Sequence, residues 1–333
     1  IRDDVESRGL GDVYKRQDYA NNPEIILSKA YDPSLGKGNN LSRQIGVGET
    51  PLGVSKDCID DYLCAETGLP VTLCNCPGHT THTGLLAELN NRDPRLLQTV
   101  CSPETGEHTY YLKGHPANIA NIVNTGAGGS SSTGYSIAKF YNAAEHLAAH
   151  HQGTLDAPVF RFGEILLIRA EAAAELGTIS QTDLDATVNK LRERVGFNHK
   201  LTMNPAVDPK LEAEYPNVSA NNATLIREIR RERRVELFGE GYRFDDLRRW
   251  ACGKRLDASV APRMGMIPDA TLYSAENITA MQNVLGTNSK GELDIYSKRV
   301  DTQARFEDPK NYLFAIPTNE ISINPNLTQN TGW

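Results

Sequence analysis

The hydrophobic positions follow two regimes. From Phe160 onward, apolar residues recur at spacings of three and four, which on a helix puts them on one face. Phe162, Ile165, Leu166, Arg169, Ala173 and Leu176 form one such stripe, with Gly177 as its stop. Leu184, Val188, Leu191 and Val195 form the next, with Thr182 as N-cap and Gly196 as stop. A short loop joins the two, so an antiparallel helical hairpin is predicted. Residues 198–222, with Pro205, Pro209 and Pro216, read as an irregular linker. The stretch Leu225–Leu256 then reads as two helices joined at Gly239-Glu240-Gly241. On its first helix Leu225, Ile229, Arg233 and Glu236 share a face. One Arg and one Glu therefore sit among apolar residues, and they are expected to pair with each other, because buried charge is costly when unpaired.

Before Phe160 the periodicity is weaker. Pro23–Lys29 carries Glu-Ile-Ile-Leu, a short strand candidate. Val54, Cys58, Ile59, Tyr62 and Leu63 recur at helical spacing and predict a helix over Val54–Cys64, with Tyr62 in the core. Leu85–Leu89 reads as another short helix. Asn91-Arg92-Asp93-Pro94-Arg95-Leu96 reads as a compact, salt-bridged turn. The glycine- and serine-rich run at 124–135 lacks Gly-Lys-Ser/Thr and is not a phosphate-binding loop. Residues 257–310 show little periodicity. Residues 1–17 fit no later element, and Gly-Asp-Val-Tyr-Lys-Arg-Gln resembles translated sequencing-adapter sequence. They are expected to be a non-native extension, with the true N-terminus missing.

Composition narrows the classes. The chain has 333 residues, 39% of them hydrophobic, and a formal net charge of −7. An acidic balance argues against nucleic acid as a partner, which needs a basic footprint. The arginines of Leu225–Leu256 are matched almost one for one by acids, so that stretch reads as a salt-bridged brace that does not touch a ligand. No apolar run approaches the length of a transmembrane helix. Cys58, Cys64, Cys74, Cys76, Cys101 and Cys252 do not define a disulfide framework in a chain this long. Cys252 is expected to be a small buried hydrophobe in a helix. Cys74, Cys76, His79 and His82 fall within nine residues and are ligand types for tetrahedral zinc. Their spacing matches no common zinc finger, and a Cys74–Cys76 or Cys64–Cys74 disulfide is the competing reading. No catalytic signature appears, and no cofactor is called.

Several segments carry a family resemblance. They are Asp61–Val71 (DYLCAETGLPV), Asn91–Leu96 (NRDPRL), Arg161–Gly177 followed by Asp183–Phe197, Glu232–Trp250 (ERRVELFGEGYRFDDLRRW), and the tail Tyr312–Trp333. In this order, over about residues 21–333, they resemble the SusD/RagB family of nutrient-binding outer-membrane lipoproteins. Ala315 and Thr331 stand where the family usually has Pro. The resemblance implies a mainly α fold: tetratricopeptide-like helix pairs in an α-α superhelix, with long loop-rich insertions and a few short strands. It implies one domain over 18–333, lacking its N-terminal part. Within it, 18–160 would be loop-rich and ligand-facing, 161–256 the helical scaffold, and 257–333 a loop-rich C-terminal segment. It implies capture of a glycan at the surface of a Gram-negative bacterium and delivery to a SusC-like TonB-dependent transporter, without bond chemistry. Membrane attachment would come only through an N-terminal lipid anchor absent from this chain. Sugar recognition needs aromatic faces and side chains that bond hydroxyls, and loops are expected to supply them. Asn75, His79, His82, Arg92, Tyr110 and Tyr111 are the candidates. Arg233, Glu236, Asp245, Arg248 and Trp250 are assigned to the scaffold, as is Trp333. The alternatives are a helical protein–protein interaction scaffold, a binder of peptide nutrients and, further off, a zinc-binding module.

Overall fold

A computed structural model describes residues 19, 22–47, 52–76, 84–103, 122, 131–142, 145, 148–299 and 303–333. Among them the chain is mainly helical, with one two-stranded sheet. Strand β1 (Ile25–Lys29) is followed by helices α1 (Leu41–Val47), α2 (Lys56–Ile59), α3 (Leu85–Leu89) and α4 (Arg95–Thr99). Strand β2 (Ala157–Arg161) returns to pair antiparallel with β1, placing Ile25 opposite Arg161 and Lys29 opposite Ala157. Then come α5 (Phe162–Glu175), α6 (Gln181–Ala186), α7 (Val188–Arg194), α8 (Pro209–Glu214), α9 (Ala223–Glu236), α10 (Arg243–Arg249), α11 (Ala275–Leu285) and α12 (Thr318–Ile323).

Local chemistry sets the helix ends. Gly177, at φ +70°, closes α5. Thr178 N donates to Ala173 O at 3.0 Å and Gly177 N to Ala174 O at 3.0 Å, which caps the last carbonyls. The next helix starts two residues earlier than predicted. Ser180, not Thr182, is the N-cap: its hydroxyl accepts from Asp183 N, and the Asp183 carboxylate accepts from Ser180 N. Thr187, at φ −126° and ψ −93°, then breaks the predicted helix into α6 and α7.

Two cores meet at α9. Leu166, Leu167, Ala170 and Ala174 of α5 pack with Leu184, Val188 and Leu191, and with Leu225, Ile226 and Ile229 of α9; Leu247 and Trp250 close this core. The predicted stripe on α5 is half right. Leu166 is buried and Phe162 and Ala173 pack against the core, whereas Ile165, Arg169 and Leu176 are exposed; Leu167, Ala170 and Ala174 complete the inward face. The second core joins Ile59, Tyr62, Leu85 and Leu96 to Met266, Tyr273 and Met281, with Val235 of α9 reaching into it. Tyr62 is buried as expected and donates to Thr99 Oγ1 at 3.0 Å.

Four other expectations need correction. The helix predicted over Val54–Cys64 is only α2, after which the chain turns, although its apolar residues are still buried. The linker at 198–222 contains α8, started by Pro209 at N1 and by Asp208, whose carboxylate accepts from Lys210 N at 2.9 Å. The region 257–310 contains α11, capped by Ser274. Cys252 is buried as expected, but beyond α10, where it precedes a 3-10 turn over Gly253–Leu256. Among the described residues no helix is long and apolar enough to cross a membrane.

Candidate functional site

The arginines of α9 face other elements rather than solvent. Glu236 is fully buried. It accepts from Arg161 Nη1 at 2.8 Å, Arg194 Nη2 at 2.7 Å and Arg95 Nη1 at 3.2 Å. Burial alone would raise its carboxyl, but the three guanidinium groups hold it well below the usual carboxylate range. Arg233 instead turns to α10, where its Nε lies 2.9 Å from both oxygens of Asp246. The expected Arg233–Glu236 pair is thus replaced by two sets of tertiary partners. A carboxylate with no solvent requires several donors, and one neighbour on its own helix cannot supply them. The Asn91–Leu96 turn feeds the same network. Asp93 binds Arg95 through both oxygens, at 3.0 and 2.6 Å, and Arg95 continues to Glu232 and Glu236.

A cleft of about 530 Å³ opens where α9 turns into α10. Arg233, Phe238, Tyr242, Arg243, Phe244 and Asp246 line one wall, and Val54 and Arg263 the other. The glycines at 239 and 241, at φ +74° and +94°, make the turn that aims Tyr242 and Phe244 into it. Tyr242 is anchored by its hydroxyl, which donates to Glu164 at 2.7 Å. Phe244 is 45% exposed, with the Arg248 guanidinium 5.3 Å from its ring centre. Arg263 donates to the carbonyls of Ala261 and Arg255 at 3.0 and 2.9 Å, and Arg243 donates to the Tyr215 hydroxyl at 3.0 Å. Among the described residues, neither arginine has a carboxylate within ion-pair distance. The cleft therefore offers aromatic faces beside cationic donors, which suits a ligand rich in hydroxyl or carboxylate oxygens. The stretch expected to serve only as scaffold supplies one of its walls. The sequence signal for this was present in Tyr242 and Phe244, aromatic residues directly after a glycine turn.

The predicted ligand residues divide. Asn75 is exposed. Arg92 is buried, and its guanidinium is consumed by backbone carbonyls: Nε and Nη2 donate to Tyr62 O at 3.0 and 2.8 Å, Nη1 to Glu88 O at 2.7 Å and Nη2 to Ile59 O at 2.5 Å. It braces the turn and has no free edge to offer a ligand. His79, His82, Tyr110 and Tyr111 lie outside the described residues. Of the zinc candidates, Cys74 and Cys76 come together with Cys64, which the sequence had associated with Cys74 only as a disulfide partner. None of the six cysteines is in a disulfide. Among the scaffold residues, Trp250 is buried and donates from Nε1 to Glu171 at 2.6 Å. Arg248 donates to Tyr312 O, tying α10 to the tail, and Asp245 is an exposed partner 3.6 Å from it. Trp333 is half-exposed, anchored through Nε1 to Leu313 O at 3.1 Å.

The SusD family matches residues 23–333, and the chain belongs to that family. Its fold is that of a solved SusD-like carbohydrate-binding protein from Bacteroides fragilis, at 21% identity and a TM-score of 0.67, over 97% of this chain and 58% of that one. A second SusD-like protein from the same organism aligns at 20% identity and a TM-score of 0.61, over 99% of this chain and 58% of that one. The chain thus spans less than two thirds of the length of these proteins. No curated protein matches it.

Proposed function

We propose that the protein binds an oligo- or polysaccharide at the surface of a Gram-negative bacterium and delivers it, uncleaved, to a SusC-like TonB-dependent transporter in the outer membrane. Membership of the SusD family over residues 23–333 carries this reading. The shared fold with a protein described as carbohydrate-binding supports it. Anchoring through an N-terminal lipid belongs to the same proposal. Ligand contacts are assigned to the cleft beside Tyr242 and Phe244, with Arg243 and Arg263 as donors, and to Asn75, His79, His82, Tyr110 and Tyr111. Arg92 drops out of this set.

The test is native gel electrophoresis in polysaccharide-loaded gels, followed by calorimetry, across neutral and acidic glycans. Retarded migration without release of sugar is the expected result. Phe244→Ala should weaken binding at least tenfold, the scale of one lost stacking contact of about 1.4 kcal/mol. Binding unchanged by Phe244→Ala removes the cleft from the proposal and leaves the loops. Failure of every glycan to bind removes the proposal itself.

A further inference from the structure

We propose that Cys64, Cys74 and Cys76 form a three-thiolate site for zinc(II), independent of the glycan cleft. The three sulfurs lie within 4.8 Å of one another, and all three residues are buried. Local backbone structure brings them together. Gly68, at φ +69°, turns the chain after Cys64, with Gly68 N donating to Cys64 O and Cys64 N to Leu69 O, each at 2.9 Å. Leu73 N and Cys74 N then both donate to Pro70 O at 2.9 Å, a single helical turn that returns Cys74 to Cys64. Cys76 follows two residues later.

The spacing fits a metal better than a covalent bridge. Cys64 Sγ lies 3.6 Å from Cys76 Sγ. A tetrahedral site with zinc–sulfur bonds of about 2.3 Å has sulfur–sulfur edges of about 3.8 Å. Three thiols also cannot all be used by disulfides, whereas one cation uses all three. Two of the three sulfurs already receive N–H groups: Cys76 N donates to Cys74 Sγ at 3.3 Å, and Asn91 Nδ2 lies 3.9 Å from Cys64 Sγ. On binding, each thiol gives its proton to solvent and its sulfur lone pair to zinc, and one tetrahedral position remains for water. The bound ion would clip the 64–76 turn. That turn also supplies Thr67, Gly68, Leu69 and Pro70 to a smaller cleft of about 200 Å³ shared with His199.

The experiment uses the reduced, metal-free 333-residue chain. Zinc is added, and its stoichiometry is read by equilibrium dialysis with elemental analysis. Cobalt(II) substitution reports the ligand type through its thiolate charge-transfer and tetrahedral ligand-field absorption. One equivalent bound, with thiolate bands, is expected. Cys58→Ser, Cys101→Ser and Cys252→Ser should each retain it, while Cys64→Ser, Cys74→Ser and Cys76→Ser should each lose it at least tenfold in affinity. Variants of buried cysteines can misfold, so the unsubstituted chain is also alkylated with and without zinc and mapped by peptide mass. Protection confined to Cys64, Cys74 and Cys76 supports the site. Protection elsewhere, metal uptake that persists in Cys74→Ser/Cys76→Ser, or an internal disulfide with no uptake after reduction overturns it. Glycan binding does not enter these readouts, so the two proposals fail separately.

Discussion

Replacing Glu236 by Gln tests whether the buried charges are the structural keystone that the geometry implies. Among the described residues, ion pairs link Arg95, Lys139, Arg161, Arg192 and Arg194 to Glu24, Asp93, Glu232, Glu236 and Glu240, five bases against five acids. Glu236→Gln keeps the shape and leaves one positive charge in excess. Arg95 retains Asp93 and Glu232, and Arg161 retains Glu24 and Glu240, but Arg194 is left with Glu24 alone. Leaving a buried charge uncompensated costs about 3–5 kcal/mol, a large share of the ~5–15 kcal/mol that holds a domain folded. Urea unfolding at neutral pH, followed by circular dichroism, should show that loss with an unchanged slope. The loss should survive added salt, because a buried pair is poorly screened. The double variant Glu236→Gln/Arg194→Met restores the balance and should recover more than half of it. A loss under about 1 kcal/mol, the range of exposed pairs, or a double variant as unstable as the sum of its singles, refutes the reasoning.

Acid should unfold the protein through the same network. Burial alone would raise the Glu240 carboxyl, but Lys139 and Arg161 hold it at about 2, against 4.5 for an unperturbed glutamate. A depressed folded value means stability that is complete above pH 4.5 and is lost as pH falls from there toward about 2. Thermal midpoints should drop across that window, and Glu240→Gln should flatten the drop; a midpoint independent of pH there contradicts the assignment. The inward face of α5 is tested by Leu167→Ala, expected to cost about 2–5 kcal/mol, against Ile165→Ala, expected to cost less than ~1 kcal/mol. Equal costs would restore the face predicted from periodicity.

What the sequence disclosed was local. The α9–turn–α10 unit is legible because its apolar spacing and its two glycines agree, although its charges pair with other elements. The inward face of α5 is less so, because Glu164 and Glu171 occupy buried positions to meet Tyr242, Arg249 and Trp250, while Ile165 and Ile168 point outward. Periodicity reads such a helix only in part. Helix α11 is hidden for a related reason: only Met281 and Leu285 are fully buried, too few for a stripe. Arg92 has the right chemistry for a ligand contact, and only the convergence of the carbonyls of Ile59, Tyr62 and Glu88 shows that it is already used. Spacing grouped Cys74 and Cys76 with His79 and His82, whereas the fold brings Cys64 to them through a turn at Gly68 that no ligand motif encodes.

The position of α9 explains how one stretch can serve both the scaffold and the cleft. Leu225, Ile226 and Ile229 belong to one core and Val235 to the other. Between them Glu232 and Glu236 bind arginines delivered by α4, β2 and α7. Damage there should lower the stability of both cores together, since neither core keeps its boundary without the helix. Phe244 stands beyond the glycine turn, on the exposed side of α10, and takes no part in that network. A substitution at Phe244 therefore reads binding without disturbing folding, and one at Glu236 reads folding first. A Phe244→Ala variant whose loss of glycan affinity came with a lowered unfolding midpoint would show that this separation is false.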